Sequence, residues 1–127
     1  MEKDFIGWNA LKENIDNSNR PTYFHQREIW WCSLGINVGV EIDGKHENYE
    51  RPVVIMKVYN TQSLIILPLT SQVKNDVYHH RVINRNKVVW AKLTQSRVIS
   101  SKRLLRKIDK VPLPEFQKLR SAWLQSL

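Results

Sequence analysis

Two apolar runs in this chain each carry, near one end, a polar residue that can bind phosphate. Arg51 opens RPVVIMKVY at 51–59, and Thr70 stands near the end of SLIILPLTS at 63–71. Pro52 suits the first residues of a strand and makes Arg51 extended, so the arginine should leave the strand end in a defined direction. A guanidinium offers a planar fork of donors for two phosphate oxygens, and a hydroxyl can donate to the same phosphate. The pair predicts a site at the mouth of a small barrel.

Both residues also have an ordinary structural interpretation. Arg51 could form an ion pair with Glu41 or Glu50, and a threonine at a strand end commonly satisfies a turn. The residue types alone leave these alternatives open.

The histidines and the lone cysteine do not form a metal motif. His46, His79 and His80 lack HExxH spacing and a partner cysteine pair, so we expect no metal site and no cofactor. His79 and His80 are neighbours on a predicted strand, so one faces in and one out, and one of them could be a general base. A surface histidine without chemistry is the simpler interpretation, and both stay outside the predicted catalytic set. Cys32 is expected in the core.

The positive charge is concentrated in the last part of the chain. The net charge is +8, and residues 76–127 hold twelve Lys and Arg against three Asp and Glu. This asymmetry predicts a basic face for a polyanion, either RNA or an acidic protein segment. A merely basic, solvated surface is the alternative.

Composition places the chain among globular proteins. It has 127 residues, of which 42% are hydrophobic and 25% charged, which excludes disordered and fibrous classes. The apolar stretches VVIM and LIILPL are too short to cross a membrane, and the N-terminus is acidic where a signal peptide would be basic. We expect a single cytoplasmic domain over residues 1–127 with no membrane segment.

The periodicity of the apolar residues predicts a barrel with a helix at each end. A helix is expected over 3–15, followed by a turn, which makes residues 1–26 a helical extension. Five strands are expected at 27–34, 51–59, 63–70, 77–83 and 87–93. A long loop is expected at 35–50, a capped helical turn at 100–107, and a last helix at 114–126 whose apolar face is Phe116, Leu119, Trp123 and Leu127. The expected fold is mainly β, an SH3-like barrel with N-terminal and C-terminal helices.

Four motifs follow one another in a recognisable order: WWCSLGINVGVEIDGK, RPVVIMKVYN, LIILPLTSQVKN and LTQSRVISSKRL. Together they resemble the MazF/PemK family of toxins from bacterial toxin–antitoxin pairs, over roughly residues 27–125. The resemblance implies a MazF/PemK/CcdB-like barrel, a homodimer and an acidic antitoxin partner. It also implies metal-independent, sequence-specific cleavage of single-stranded mRNA that leaves a 2′,3′-cyclic phosphate. Because a similar fold serves gyrase-directed toxins, such a toxin or a non-catalytic RNA-binding barrel is the alternative.

The resemblance also implies roles for particular residues. Arg51 occupies the position of the family's catalytic arginine, and Thr70 that of its catalytic hydroxyl, with Ser71 beside it as an RNA contact. Glu41 matches the acid of a G-x-E segment and would position Arg51 or accept the 2′-OH proton. Val40 stands where several relatives carry serine.

Two further residues are expected at the rim of the cleft. Gln95 and Arg97 match a later family segment and would contact RNA bases or backbone. A solvated strand edge is the alternative for both. The insertion KHENYE at 45–50 lengthens a link that is nearly absent in the short members of the family.

Overall fold

The computed structural model describes residues 23–35 and 50–127, and within them it contains seven strands and one α-helix. The strands are β1 Glu28–Ser33, β2 Glu50–Val58, β3 Ser63–Thr70, β4 His79–Asn84, β5 Lys87–Lys92, β6 Arg97–Ser100 and β7 Leu104–Lys110. The helix, α1, is Leu113–Ser126, and short 3-10 turns lie at Leu93–Gln95 and Ser101–Arg103.

The strands form a curled antiparallel sheet in the order β4-β5-β3-β2-β1-β7, with β6 paired to β3. Strand β3 is the point at which the sheet divides. Its first half, Ser63 to Ile66, pairs with β6, whereas Leu69 and Thr70 at its end pair with β5. Register shifts in the β2–β3 and β1–β7 pairs add local bending, as β-bulges do. The predicted fold, mainly β and barrel-like with a C-terminal helix, is confirmed.

Strands β2 and β3 are buried on both faces, which explains why their sequences are continuous apolar runs. We call the two sides the helix face and the open face. The helix face is covered by α1 and includes Val54, Met56, Leu67, Leu69, Phe116, Leu119 and Trp123. On the open face, side chains of β1, β2, β3 and β6 pack together; they include Trp30, Cys32, Val53, Ile55, Leu64, Ile66 and Ile99.

The C-terminal helix is confirmed, but one residue of its predicted apolar face is not buried. Phe116, Leu119 and Trp123 are buried against the sheet, whereas Leu127 is 79% exposed. Leu127 follows the last helical residue, so nothing in the fold holds it on that face.

The predicted helical turn at 100–107 is largely wrong. Only Ser101–Arg103 forms a turn, capped by the Ser100 hydroxyl, which accepts the Lys102 N–H at 3.2 Å. Leu104 begins β7, which pairs along β1 and satisfies its backbone groups there. Pairing with β1 therefore overrides a locally helical pattern. The structure has seven strands rather than the predicted five, because β6 and β7 were not predicted.

Some predictions fall outside the described residues. These are the N-terminal helix at 3–15, Glu41, His46 and most of the loop predicted at 35–50. Glu50, predicted as the last residue of that loop, is instead the first residue of β2. No helix in the described part of the chain is long and apolar enough to span a membrane.

Candidate active site

Arg51 and Thr70 lie on neighbouring strands at the same end of the sheet. The β2–β3 register pairs Val53 with Pro68, and continuing it by two residues places Arg51 across from Thr70. Because side chains alternate along a strand, both residues share the open face with Val53 and Ile66. Arg51 is 6% exposed and Thr70 is 5% exposed. A charged and a hydroxyl side chain are thus brought together where the apolar core of the open face ends.

Each of the two side chains has a local hydrogen bond. Arg51 Nη1 donates to the Leu69 carbonyl at 3.4 Å, a long contact. Thr70 Oγ1 accepts the Gln72 N–H at 3.3 Å, which is the turn interaction considered as the alternative for this residue. A hydroxyl that accepts one bond still has its proton to donate, so the turn role and a phosphate contact are compatible.

The start of β2 is held in place by an ion pair. Glu50 accepts two hydrogen bonds from Arg106 on β7, at 2.9 and 3.3 Å, and its carboxylate is nearly buried. The Arg106 guanidinium also lies 5.3 Å from the centre of the Trp31 ring. Such a forked pair is geometrically specific, and it fixes the position of Glu50, the residue directly before Arg51.

Lys92 adds a second cation to the open face, and the sequence did not identify it. Strand β5 pairs Trp90 with Thr70, so Lys92, two residues on, shares the face of Thr70. Burial lowers the pKa of Lys92, and the charges of Lys74 and Arg51 lower it further. Lys92 therefore lies within electrostatic reach of Arg51. Alternation within KVVWAKL could have placed Lys92 beside Trp90, but no local signal indicates which strand β5 joins.

A cleft of about 340 Å³ opens beside Lys92. Its walls are Tyr78, His79, Lys92, Thr94 and Gln95. The predicted residue Gln95 therefore lines this cleft, half-buried, from the 3-10 turn that follows β5. Ser71 directly follows Thr70 and is exposed.

Arg97 also lies on the open face. It lies on β6, pairs in register with Ile66 on β3, and is half-buried. Its charge and that of Arg103 act on the thiol of Cys32, whose pKa burial raises to about 12. Cys32 is the register partner of Arg51. Arg97 and Arg103 therefore belong to the same cationic neighbourhood as Arg51.

The arrangement is suited to holding a phosphate. Partly buried cations attract an anion more strongly than exposed ones, because the local dielectric is lower and ions in solution screen them less. Of the predicted residues, Arg51, Thr70, Gln95 and Arg97 come to one face, with Ser71 at its rim. Within residues 23–35 and 50–127, no three His, Cys, Asp or Glu side chains gather as a metal site would require.

The fold recurs in solved toxin structures. MazF (Form-I) from Deinococcus radiodurans is 16% identical, with a TM-score of 0.68 over 84% of this chain and 100% of that chain. MazE-MazF (Form-II) from the same organism is 14% identical, with a TM-score of 0.62 over 84% and 96%. An endoribonuclease in complex with its cognate antitoxin from Mycobacterial species is 11% identical, with a TM-score of 0.61 over 80% and 91%. At these identities the likeness establishes the fold alone.

The sequence of the chain identifies its family. Among curated proteins no sequence matches the chain. A family model does match, over residues 25–127, and it describes a PemK-like, MazF-like toxin of type II toxin-antitoxin systems. Since that match covers most of the chain and the fold agrees with it, this chain belongs to the PemK-like, MazF-like family of type II toxins.

Proposed function

We propose that this protein is a metal-independent endoribonuclease that cuts single-stranded mRNA within a short sequence, as the toxin of a toxin–antitoxin pair in the cytoplasm. Its family is one known for endoribonuclease activity. The observation that carries the proposal is the placement of Arg51 and Thr70 across from each other, with Lys92 and Arg97 on the same face. The rest of the open face is apolar core, so this end is where a phosphate would be held.

The reaction proposed is an internal transesterification. The 2′-oxygen attacks phosphorus, the P–O5′ bond breaks, and a 2′,3′-cyclic phosphate and a 5′-hydroxyl remain. The 2′-OH proton passes to a base, for which Glu41, outside the described residues, is the candidate. Arg51 would stabilise the charge that builds on the phosphoryl oxygens, and Thr70 would donate to one of them. Ser71, Gln95 and Arg97 would hold the neighbouring nucleotides.

The proposed partners follow from charge and fold. Residues 76–127 supply most of the cations of the open face, among them Lys92 and Arg97. A basic surface attracts both RNA and a disordered acidic peptide that folds on binding. Two of the solved structures with this fold are complexes with an antitoxin, which supports an acidic antitoxin as the inhibitor of this protein. We propose that the protein acts as a homodimer.

The test is cleavage of a pool of unstructured RNAs by the purified protein, with both new ends identified. We expect cuts at one short recurring sequence, with cyclic phosphate upstream and 5′-hydroxyl downstream. Arg51→Ala, purified identically, controls for contaminating nucleases. A folded wild-type protein that binds RNA and cuts none of it would instead favour the non-catalytic barrel.

A further inference from the structure

His79 and Asp76 form a pair beside the candidate site. His79 Nδ1 lies 2.7 Å from Asp76 Oδ1, and the same oxygen accepts the Tyr78 N–H at 2.9 Å. The His79 side chain is only 13% exposed, whereas that of Asp76 is 44% exposed. Two hydrogen bonds thus fix the carboxylate, and the carboxylate in turn fixes the imidazole ring.

The pair defines which ring nitrogen can exchange a proton. The hydrogen bond from His79 lowers the pKa of Asp76, so its carboxylate is ionised at neutral pH and can only accept. Nδ1 therefore carries a hydrogen, and Nε2 is the nitrogen that can pass a proton to another molecule. A carboxylate in this position orients an imidazole and stabilises the positive charge that it carries when protonated.

His79 lies on the same side of the sheet as Arg51 and Thr70. It pairs in register with Lys92, which shares the face of Thr70, and both residues line the cleft of about 340 Å³. The charged groups around it are Asp76 in its own turn, Lys92 across the strand pair, and Lys74, whose charge acts on both of them. Helix α1 contributes the uncharged residues Ala122, Gln125 and Ser126 to a second cleft, which both His79 and His80 line.

We propose that His79, oriented by Asp76, is the general acid that protonates the leaving 5′-oxygen; this rests on the proposed RNA cleavage. As the O2′–P bond forms and the P–O5′ bond breaks, the Nε2 proton moves to O5′. The neutral imidazole then regains a proton from water. The 2′-OH proton leaves separately, to a carboxylate or water base. Arg51 holds the phosphoryl oxygens while His79 serves the leaving group, so each residue has one task.

The experiment compares two RNAs that differ only at the cleaved bond, in which O5′ is either oxygen or sulfur. A thiolate leaves without protonation, so loss of a general acid should matter only for the oxygen substrate. We expect His79→Ala and His79→Gln to slow the oxygen substrate by about 10²- to 10⁴-fold and to cut the sulfur substrate at nearly the wild-type rate. The glutamine variant keeps a polar group beside Asp76, so it guards against loss of local structure.

His80→Ala is the matched control. His80 is the next residue of β4 and lines the groove beside Lys118 of α1, but it does not line the cleft that His79 shares with Lys92. Its removal should leave both rates unchanged. Asp76→Asn should slow only the oxygen substrate, by about 10-fold, because the imidazole loses the carboxylate that orients it.

Three outcomes would overturn the inference: no loss with His79→Gln, an equal loss on both substrates, or a His80→Ala effect as large as that of His79→Ala. Failure of the proposed function looks different, because the wild-type protein would then cut neither RNA.

Discussion

Replacing Arg51 by alanine should remove most RNA cleavage. Its guanidinium would contact the phosphoryl group with a fork of two donors, and one lost donor to a transition state typically costs 10²–10³-fold in rate. We therefore expect kcat to fall by about 10³-fold or more, which corresponds to about 4 kcal/mol. KM should change less, because Lys92 and Arg97 on the same face still attract the RNA.

The variant should remain folded, because β2 is anchored beyond Arg51. Val53 and Val54 follow on opposite faces of the strand, and both are fully buried in the two apolar clusters. Glu50 is held by Arg106 just before Arg51. Circular dichroism should be unchanged, and the melting temperature should stay within a few degrees of that of the wild-type protein.

The assay is single-turnover cleavage of the mapped RNA, with two further variants. Lys57→Ala removes one positive charge from the other end of β2, where Lys57 is exposed and lies 5.1 Å from the Tyr59 ring, and should cleave normally. Arg51→Lys keeps the charge without the fork and should be intermediate. If folded Arg51→Ala cleaves as fast as Lys57→Ala, Arg51 is not the phosphate contact.

Four other outcomes are expected. Thr70→Ala should slow cleavage by about 10²-fold, and a larger effect of Ser71→Ala would move the hydroxyl role to Ser71. Cleavage should persist in excess EDTA; loss that Mg²⁺ reverses would contradict a metal-independent mechanism. The pKa of Lys92 is lower in the folded protein than its ordinary value of 10.5, so the charged lysine reduces the free energy of unfolding at neutral pH. This loss of stability diminishes as the pH rises toward 10.5, because the lysine then loses its charge. Lys92→Gln should therefore melt higher than wild type at pH 7, by a margin that shrinks at alkaline pH, while cleaving more slowly; an unchanged melting temperature would contradict this. RNA affinity should fall with salt, with a log–log slope that Arg97→Gln makes shallower by about 0.7, whereas antitoxin binding, helped by apolar contacts, should fall less.

The local sequence determined much of the sheet. Pro52 marks the start of β2, and the runs at 51–59 and 63–70 are apolar on both faces because β2 and β3 are covered on both sides. The spacing of Phe116, Leu119 and Trp123 predicts the buried side of α1, which needs no knowledge of its partner. The order of the four motifs was sufficient to indicate the family, since each motif is a short local pattern that can be read directly from the sequence.

Tertiary structure decided which strands meet. The segment after Arg103 has a helical pattern locally, yet it becomes β7 because β1 offers a ladder of unpaired backbone groups. Lys92 and His79 are thirteen positions apart, and only the β4–β5 pairing places them opposite each other. Only the division of β3 between β6 and β5 then brings them to the side of Thr70. Side-chain alternation is a local property, whereas the choice of neighbouring strand depends on the free energy of the whole sheet, and so Lys92 and His79 could not be placed beside Thr70 from sequence.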